Sequence, residues 1–287
     1  MLNIILVNYN SSDDTKNCID SIINSNQILP VNIKIFDNNS KEEEASKLKE
    51  YIAKINNNLN SFTKSVECHF SNQNLGFAVA NNYYMKKAMN TDFLWILNND
   101  TLVNSELLKK IAENLPERNE VLYFDCHTFS DEFHDSGVHY VNLFSGKNRM
   151  QAKSRTDFEY ICGASFVIQK TDFMPYFDES YFLYYEDCDY GMRLKKASYR
   201  YRKLENCYFK HKIGSSGSRQ IKKINLIQLR SQVLFMKRYS KSFYVYKFLK
   251  FLYLAVLKQD FDSAKKFLFF CRTVSEKTSF SEDLPFK

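Results

Sequence analysis

An apolar run that ends abruptly in three small polar side chains is the feature that most constrains the fold of this chain. Residues 93–97 are all large and apolar or aromatic, which is typical of a strand buried on both faces of a parallel sheet. Asn98, Asn99 and Asp100 follow directly. Ligands of open α/β sheets bind beyond the carboxyl ends of the strands. These side chains therefore predict either a binding loop or a plain turn before a helix that begins near Ser105.

The same order of apolar strand, polar loop and helix recurs along the chain. Strands are predicted at 1–7, 31–36, 66–70, 93–97, 121–124, 161–168 and 199–204, and helices at 15–24, 41–55, 78–89 and 105–114. Residues 133–146 are rich in turn formers and aromatics, which indicates a hairpin or an irregular excursion. The alternation predicts an α/β fold with a central, mostly parallel sheet flanked by helices.

The composition limits the classes of protein that are possible. A hydrophobic content of 44% and a charged content of 25% are ordinary for a globular protein. The seven cysteines include no Cys-x-x-Cys pair, and a chain of 287 residues does not need disulfides for stability, so a reducing cytoplasm is expected. Residues 2–7 are expected to be a strand and not a signal peptide. No run reaches about 18 apolar residues, which predicts a soluble or peripherally attached protein.

Two segments with glycine carry candidate binding chemistry. Gly76 precedes a predicted helix and permits close approach to its first N–H groups, which would form one wall of a phosphate site, with Asn81 one turn further on. The pair at 163–164, Gly and Ala, has almost no side chain and suits a surface on which a sugar or ribose rests. Tight packing against a helix is the alternative interpretation of both segments.

Adjacent carboxylates form the strongest candidate for acid–base chemistry. Glu186 and Asp187 stand in a stretch rich in tyrosine and phenylalanine. Aromatic surroundings and a neighbouring carboxylate both raise a carboxyl pKa, which prepares one member of such a pair as a general base. Acidic residues also favour a helix N-terminus, and both interpretations can hold together.

In this order, the motifs resemble those of the inverting family-2 glycosyltransferases of the GT-A fold, especially the rhamnosyltransferase-like and galactofuranosyltransferase-like branch. The matching segments are 7–10, 37–40, 74–78 with Asn81, 97–100, 163–164, 177–179, 186–190 with Arg193, and His211. The resemblance implies a GT-A catalytic domain over 1–218, with a nucleotide-sugar-binding part at 1–104 and an acceptor part at 105–218. A basic helical extension at 219–287 would follow.

The resemblance also implies roles for individual residues. Asp187, with Glu186 beside it, would be the base that removes the acceptor proton. Asp100, His211 and Asn98 would bind a divalent metal, Mn²⁺ or Mg²⁺. Asn98 replaces the first Asp of the family's Asp-x-Asp motif, so this ligand is weaker, and the imidazole favours Mn²⁺. The implied contacts to the nucleotide sugar are Asn8, Tyr9, Asp37, Asn38, Asn74, Gly76, Asn81, Asn98, Asn99 and Gly163.

The implied function is transfer of a sugar from dTDP-rhamnose or a UDP-sugar to a glycan or lipid-linked acceptor in bacterial surface polysaccharide synthesis. A catalytically silent nucleotide-sugar binder is the alternative suggested by Asn98, and retention of the Glu186 and Asp187 pair argues against it. A nucleic-acid-binding protein is a weaker alternative, because no recognition motif accompanies the basic charge. We therefore expect no nucleic-acid partner.

The formal net charge of +7 is concentrated in the tail. Between Arg219 and Arg272 there are thirteen Lys or Arg residues against two acids, Asp260 and Asp262. Amphipathic helices are predicted from about 224 and over 243–257. Such helices suggest either attachment to an anionic membrane surface, on its cytoplasmic side, or packing on the catalytic domain.

Overall fold

The structure, a computed structural model, describes residues 1–25, 28–212 and 221–275, without the side chains of 221–223. The first third alternates β1 (Leu2–Asn8), α1 (Ser12–Ile23), β2 (Val31–Asp37), α2 (Glu42–Asn56), β3 (Thr63–Phe70), α3 (Gly76–Lys87) and β4 (Phe93–Leu97). β1 pairs in parallel with both β2 and β4, and β2 pairs in parallel with β3. The predicted α/β fold with a central sheet is therefore confirmed.

The second part of the chain completes this sheet and adds a smaller one. Its elements are β5 (Thr101–Val103), α4 (Ser105–Glu113), β6 (Glu120–His127), β7 (Phe133–Asp135), β8 (Val138–Asn142), β9 (Asn148–Arg149), β10 (Asp157–Ile161), β11 (Ser165–Gln169), α5 (Glu186–Lys196) and β12 (Arg200–His211). In the described residues the central sheet has nine strands, in the order β3-β2-β1-β4-β11-β6-β12-β5 with β7 beside β6. β11 is antiparallel to β4 and β6. β10, β8 and β9 form a separate antiparallel sheet.

Strand β4 lies at the centre of the fold, as its apolar run predicted. Leu94, Trp95 and Ile96 are at most 1% exposed. Trp95 belongs to the apolar cluster on one face of the sheet, and Leu94 and Ile96 belong to the cluster on the other face. The indole N–H of Trp95 donates to Ser165 Oγ at 2.9 Å, so the one polar atom of this side chain is also satisfied.

The single strand predicted at 161–168 is wrong, because the structure has two strands there that belong to different sheets. β10 ends at Ile161 in the small sheet and β11 begins at Ser165 in the central sheet. Residues 162–164 cross between the two sheets, and the N–H of Asn98 donates to the carbonyl of Ala164 at 2.8 Å. The end of β10, at Tyr160 and Ile161, and most of β11 are buried and apolar or aromatic, so periodicity alone could not locate the break that the two small residues allow.

β12 is longer than predicted, and His211 is its last residue instead of part of a loop. The register against β6 shifts between Lys203 and Tyr208, where Asn206 has a φ of 56°. Asn tolerates this left-handed conformation better than most residues. Such a bulge lets the strand continue past residues that interrupt the apolar pattern. The sequence prediction therefore ended the strand too early, at 204.

The tail consists of α6 (Ile221–Tyr239), α7 (Phe243–Leu252), a π-helical turn (Tyr253–Leu257) and α8 (Phe261–Thr273). A third apolar cluster joins Tyr181 and Tyr185 of the catalytic part to Phe235 of α6 and Phe270 of α8. The fully buried Arg230 donates to the carbonyl of Ser180 at 2.9 Å. α6 therefore packs on the part of the chain before it, and α8 packs on α6, which agrees with one of the two interpretations.

The predicted domain boundary at 218 falls outside the described residues. Among the helices that are described, none combines the length and the apolar character needed to cross a bilayer.

Candidate active site

The three predicted metal ligands meet at the carboxyl end of β4. Pairing of β12 with β5 brings His211 opposite Thr101. His211 Nε2 lies 3.0 Å from Asp100 Oδ1 and 3.5 Å from Asn98 Nδ2. In the described residues no group of three or more His, Cys, Asp or Glu is placed to hold a metal, and this set contains only two such side chains.

The chemistry of this set fits a partial shell for a divalent cation. It offers an imidazole nitrogen and a carboxylate oxygen, and a flip of the Asn98 amide would present its oxygen to the same point. Mn²⁺ accepts nitrogen and oxygen ligands, and the remaining positions would be left for oxygens of a bound ligand. Asp100 then carries the only full negative charge of the three residues.

The other amides at these strand ends are largely engaged within the chain. Asn8 is fully buried and donates to Asp37 Oδ2 at 2.7 Å, while its own oxygen accepts from Thr15 Oγ1 at 2.8 Å. Asn99 donates to the same hydroxyl at 2.8 Å and to Ser11 Oγ at 3.2 Å. Both side chains hold the loops that line the site. Direct contacts from them to a nucleotide sugar stay predictions.

The end of β2 supports the next loop. Asp37 is 1% exposed and accepts from the N–H of Ser40 at 3.0 Å. Asn38 accepts from the N–H of Leu75 at 2.7 Å and donates to the carbonyl of Gly76 at 3.3 Å. Tyr9, after β1, is 52% exposed and is therefore free to stack on a ligand ring.

The start of α3 differs from the predicted phosphate wall. The N–H of Phe77 donates to the carbonyl of Phe182 at 2.9 Å, and the N–H of Gly76 donates to Asn74 Oδ1 at 3.1 Å. A Cβ on Gly76, whose φ is +82°, would lie 2.3 Å from that Phe182 oxygen. Asn81 is buried and donates to the carbonyl of Phe77. The Phe77 N–H is engaged because the distant segment around Phe182 packs onto the helix start, a contact that no local pattern reveals, whereas the Gly76 N–H is engaged locally by Asn74.

Glu186 and Asp187 begin α5, as predicted, but their environments differ. Asp187 is partly exposed and accepts from the N–H groups of Cys188 at 2.8 Å and Gly163 at 3.3 Å. Glu186 is buried, and within the described residues its Oε2 has no hydrogen-bond partner. The pair therefore consists of one partly exposed, hydrogen-bonded carboxyl group and one buried carboxyl group with an oxygen that lacks a hydrogen-bond partner in the described residues.

The two environments affect the pKa values of Glu186 and Asp187 differently. Burial, followed by the charge of Asp187, raises the pKa of Glu186 to about 8. Burial also raises the pKa of Asp187, but the charge of His139 and the N–H groups of Cys188 and Gly163 act in the opposite direction. Since neighbouring like charges disfavour each other, burial favours the protonated form at Glu186, while the N–H groups and the charge of His139 favour the ionised form at Asp187.

The crossing at 163–164 connects Asp187 to the turn that begins at Asn98. The N–H of Gly163 donates to Asp187, and the carbonyl of Ala164 accepts from the N–H of Asn98. A Cβ on Gly163 would meet Asp187 Cβ at 3.5 Å and the ring of Phe77 at 3.7 Å, which are ordinary contacts. The glycine leaves open space beside the base without being required by packing.

Two groups near the base were not found from the sequence. Tyr184 and Tyr185, directly before Glu186, have φ values of 66° and 65°, a conformation that bulky residues adopt at a cost. Tyr185 donates to the carbonyl of Gly146 at 2.5 Å and accepts from Gln232 of α6 at 2.8 Å. The tail thus helps to fix the turn that presents the carboxylates, a role without any local sequence signal.

The second group is an ion pair beside the crossing. His139 Nε2 lies 3.5 Å from Asp135 Oδ1. Burial alone would lower the pKa of His139, but pairing with Asp135 and Cys162 raises it to about 11. A cation here favours the ionised form of Asp187.

Comparison with known proteins agrees with this arrangement. The sequence profile described as Glycosyl transferase family 2 matches residues 3–174. The chain belongs to glycosyl transferase family 2. No curated protein matches the sequence.

Solved glycosyltransferases share the fold of this family-2 chain at low identity. The mannosyltransferase PcManGT from Pyrobaculum calidifontis, in complex with GDP-Man and Mn²⁺, is 12% identical with a TM-score of 0.54, covering 81% of this chain and 61% of that one. GalNAc-T7 with UDP, GalNAc and Mn²⁺ is 14% identical with a TM-score of 0.59, covering 96% and 56%. S. aureus TarS 1-349 in complex with UDP is 16% identical with a TM-score of 0.51, covering 92% and 75%. The chain thus spans less than two thirds of two of these proteins.

Proposed function

We propose that this protein transfers a sugar from a nucleotide-diphosphate sugar to a hydroxyl group of a glycan or lipid-linked acceptor, with inversion at the anomeric carbon. The observation that carries this proposal is the crossing at 163–164, which hydrogen-bonds Asp187 on one side and the Asn98 turn on the other. One dipeptide thus holds the proposed base and the proposed diphosphate-binding turn. This arrangement suits a reaction in which the acceptor hydroxyl is deprotonated on one side of the anomeric carbon and the diphosphate leaves from the other side.

The reaction would be a single displacement. Asp187 accepts the proton of the acceptor hydroxyl as that oxygen attacks the anomeric carbon. The bond from this carbon to the diphosphate oxygen breaks with its electron pair, which leaves with the nucleoside diphosphate. Attack from the face opposite the leaving group inverts the configuration. Asp187 is favoured over Glu186 as the base because it is partly exposed and accepts two backbone hydrogen bonds that favour its ionised form.

A divalent cation would be held by Asp100, His211 and Asn98. Such an ion supplies Lewis-acid stabilisation of the negative charge that develops on a leaving diphosphate. Since Asn98 brings no charge, the diphosphate itself must contribute to the affinity. The Mn²⁺ in the PcManGT and GalNAc-T7 structures supports this part of the proposal.

The donor is proposed as a nucleotide sugar, with dTDP-rhamnose and UDP-sugars as the first candidates. The GDP-Man and UDP in the related structures support the class but do not select the sugar. We further propose that the reaction takes place in the cytoplasm, at the inner face of the membrane, in synthesis of a bacterial surface polysaccharide. A silent nucleotide-sugar binder is the second candidate, because Asn98 stands where a carboxylate would strengthen a metal site.

A thermal-shift panel of nucleotide sugars, with and without Mn²⁺, tests the donor class. A ligand that binds the folded state raises the unfolding temperature by mass action, so the true donor should produce the largest rise, and more with Mn²⁺. NMR of the product then gives the anomeric configuration. Absence of a rise with every nucleotide sugar would contradict the proposal. A rise without turnover would favour the silent binder, and a retained configuration would exclude the single displacement.

A further inference from the structure

The tail exposes a continuous apolar surface that the catalytic proposal does not use. Along α7 and the π-helical turn, a row of large apolar side chains recurs every fourth residue: Tyr244, Phe248, Leu252 and Val256. A second row begins one residue later and ends at Leu257. Tyr244 is 83% exposed, Phe248 63% and Leu257 75%. Residues four apart lie on neighbouring turns of one helical face. We call this surface, residues 244–257, the apolar face.

The opposite side of the same segment is anchored in the protein. Tyr246 and Ala255 are buried, and the hydroxyl of Tyr246 donates to Gln232 Oε1 at 3.0 Å. Gln232 in turn donates to Tyr185, directly before the catalytic pair. The helix is therefore fixed in orientation, and within the described residues nothing covers the apolar face.

Charge on and beside the apolar face has one sign. Residues 241–258 contain four lysines, Lys241, Lys247, Lys250 and Lys258, and no acidic residue. The next acids along the chain are engaged within α8: Asp260 caps it by accepting from the N–H of Ser263, and Asp262 pairs with Lys266. A surface with apolar side chains and only cations complements an interface that is both apolar and anionic.

A groove adjoins the apolar face where the tail meets the 142–148 turn. It has a volume of about 160 Å³ and is lined by Phe144, Ser145, Tyr246, Leu249 and Lys250. Lys250 Nζ lies 5.7 Å from the centre of the Tyr253 ring. Lys250 is partly buried beside the apolar lining of this groove, and lysine can bridge an apolar layer and a charged one because its stem is apolar and its end is charged.

We infer that the apolar face docks on the surface of an anionic lipid bilayer, with α7 and the π-helical turn lying in the plane of the interface. A second copy of the chain is a poorer occupant. A twofold contact places the same patch of both subunits together, so the lysines of each copy would face those of the other without acids to compensate. Docking would hold the active site near lipid-linked acceptors, but the inference does not depend on the acceptor.

Co-sedimentation of the full-length protein with vesicles tests the inference. The vesicles are phosphatidylcholine alone and an equal mixture of phosphatidylcholine and phosphatidylglycerol. We expect sedimentation with the mixed vesicles only. Phe248→Ser combined with Leu257→Ser should weaken binding about tenfold or more, because it removes exposed apolar contacts with the bilayer. Lys241→Gln combined with Lys258→Gln should weaken it about fivefold for each lysine.

Matched controls keep the result interpretable. Phe173→Ser removes an aromatic side chain of similar exposure, 78%, outside the tail, and Lys54→Gln with Lys196→Gln removes two exposed lysines elsewhere. Both control variants should bind vesicles as the wild type does. All variants should keep the wild-type unfolding temperature, since the changed side chains are exposed.

Three results would overturn the inference. These are equal binding to both kinds of vesicle, wild-type binding by the Phe248→Ser and Leu257→Ser variant, and a dimer in solution that this variant converts to a monomer. Donor-induced thermal shifts are measured on the same samples without vesicles. If the wild-type protein does not bind vesicles but keeps its donor shift, the result counts against docking alone; if it binds vesicles but shows no donor shift, the result counts against the proposed transfer.

Discussion

Glu186→Gln tests whether the buried carboxyl group of the catalytic pair holds a proton in the folded chain. Burial and the neighbouring charge of Asp187 raise the pKa of Glu186 from 4.5 to about 8. A carboxyl group with a raised pKa binds its proton more tightly in the folded state. Its contribution to the free energy of unfolding is therefore complete below the pKa of the unfolded state. That contribution is lost as pH rises towards the pKa of the folded state.

The size of the effect follows from this shift. At about 1.4 kcal/mol for each pH unit, the free energy of unfolding should fall by about 3 kcal/mol between about pH 5 and about pH 8 through Glu186 alone. Glutamine has nearly the same shape and no proton to lose, so the variant should escape this loss. Relative to wild type, Glu186→Gln should become more stable by that amount as pH rises.

Urea unfolding of both proteins at the two pH values measures the difference. Contributions from titrating groups that do not interact with Glu186 cancel when the variant is compared with wild type at each pH, so the difference reports on Glu186 together with its neighbour Asp187. Glu113→Gln, which removes an exposed carboxylate, is the control for a general loss of negative charge. If the difference between Glu186→Gln and wild type is the same at both pH values, Glu186 is ionised in the folded chain. The reasoning that leaves Asp187 as the charged base would then fail.

Three further variants address the base, the metal and the tail. Asp187→Asn should lower the transfer rate about 100-fold to 10,000-fold. Donor affinity, measured by calorimetry, should not change. Near-normal transfer by this variant, together with an inactive Glu186→Gln variant, would reverse our assignment of the base. His211→Ala should weaken Mn²⁺ binding about tenfold, or about 1.4 kcal/mol, in the presence of nucleoside diphosphate. Asn98→Asp should strengthen it. If titration calorimetry shows no change in Mn²⁺ affinity for either variant, these residues do not form a metal site. Arg238→Ala removes a cation that pairs with two mostly buried carboxylates, Asp178 and Asp189. The variant should lower the free energy of unfolding by about 3 kcal/mol. An unchanged urea midpoint would mean that the tail contributes little stability through this contact.

The sequence predicted a strand or a helix start correctly where neighbouring residues share one chemical character. The run at 93–97 predicted a doubly buried strand because every residue in it is large and apolar, and the polar residues after it mark the strand end. The start of α5 at Glu186 was likewise predicted, since three acids in one turn favour the helix dipole.

Contacts between distant segments set the features that the sequence did not reveal. Gly76 looks like a phosphate-loop glycine, yet Phe182, more than a hundred residues later, occupies the space beside it. The break at 162–164 depends on which sheet each strand joins, and the apolar end of β10 followed by β11 looks like one strand. The placement of His211 in β12 required a bulge that only pairing with β6 reveals. In each case the decisive energy comes from tertiary packing and not from the local residues.

The two glycines of the candidate site should diverge differently among related sequences. Gly76 is fixed by the architecture, because any side chain there would collide with backbone and the residue has a left-handed φ. Gly163 carries no such penalty, since a methyl group would fit beside Asp187 and Phe77. Substitution at 163 can therefore reshape the space next to the base while the fold is preserved. This position gives evolution, or a protein engineer, a place to change the space beside Asp187 without first having to rescue stability.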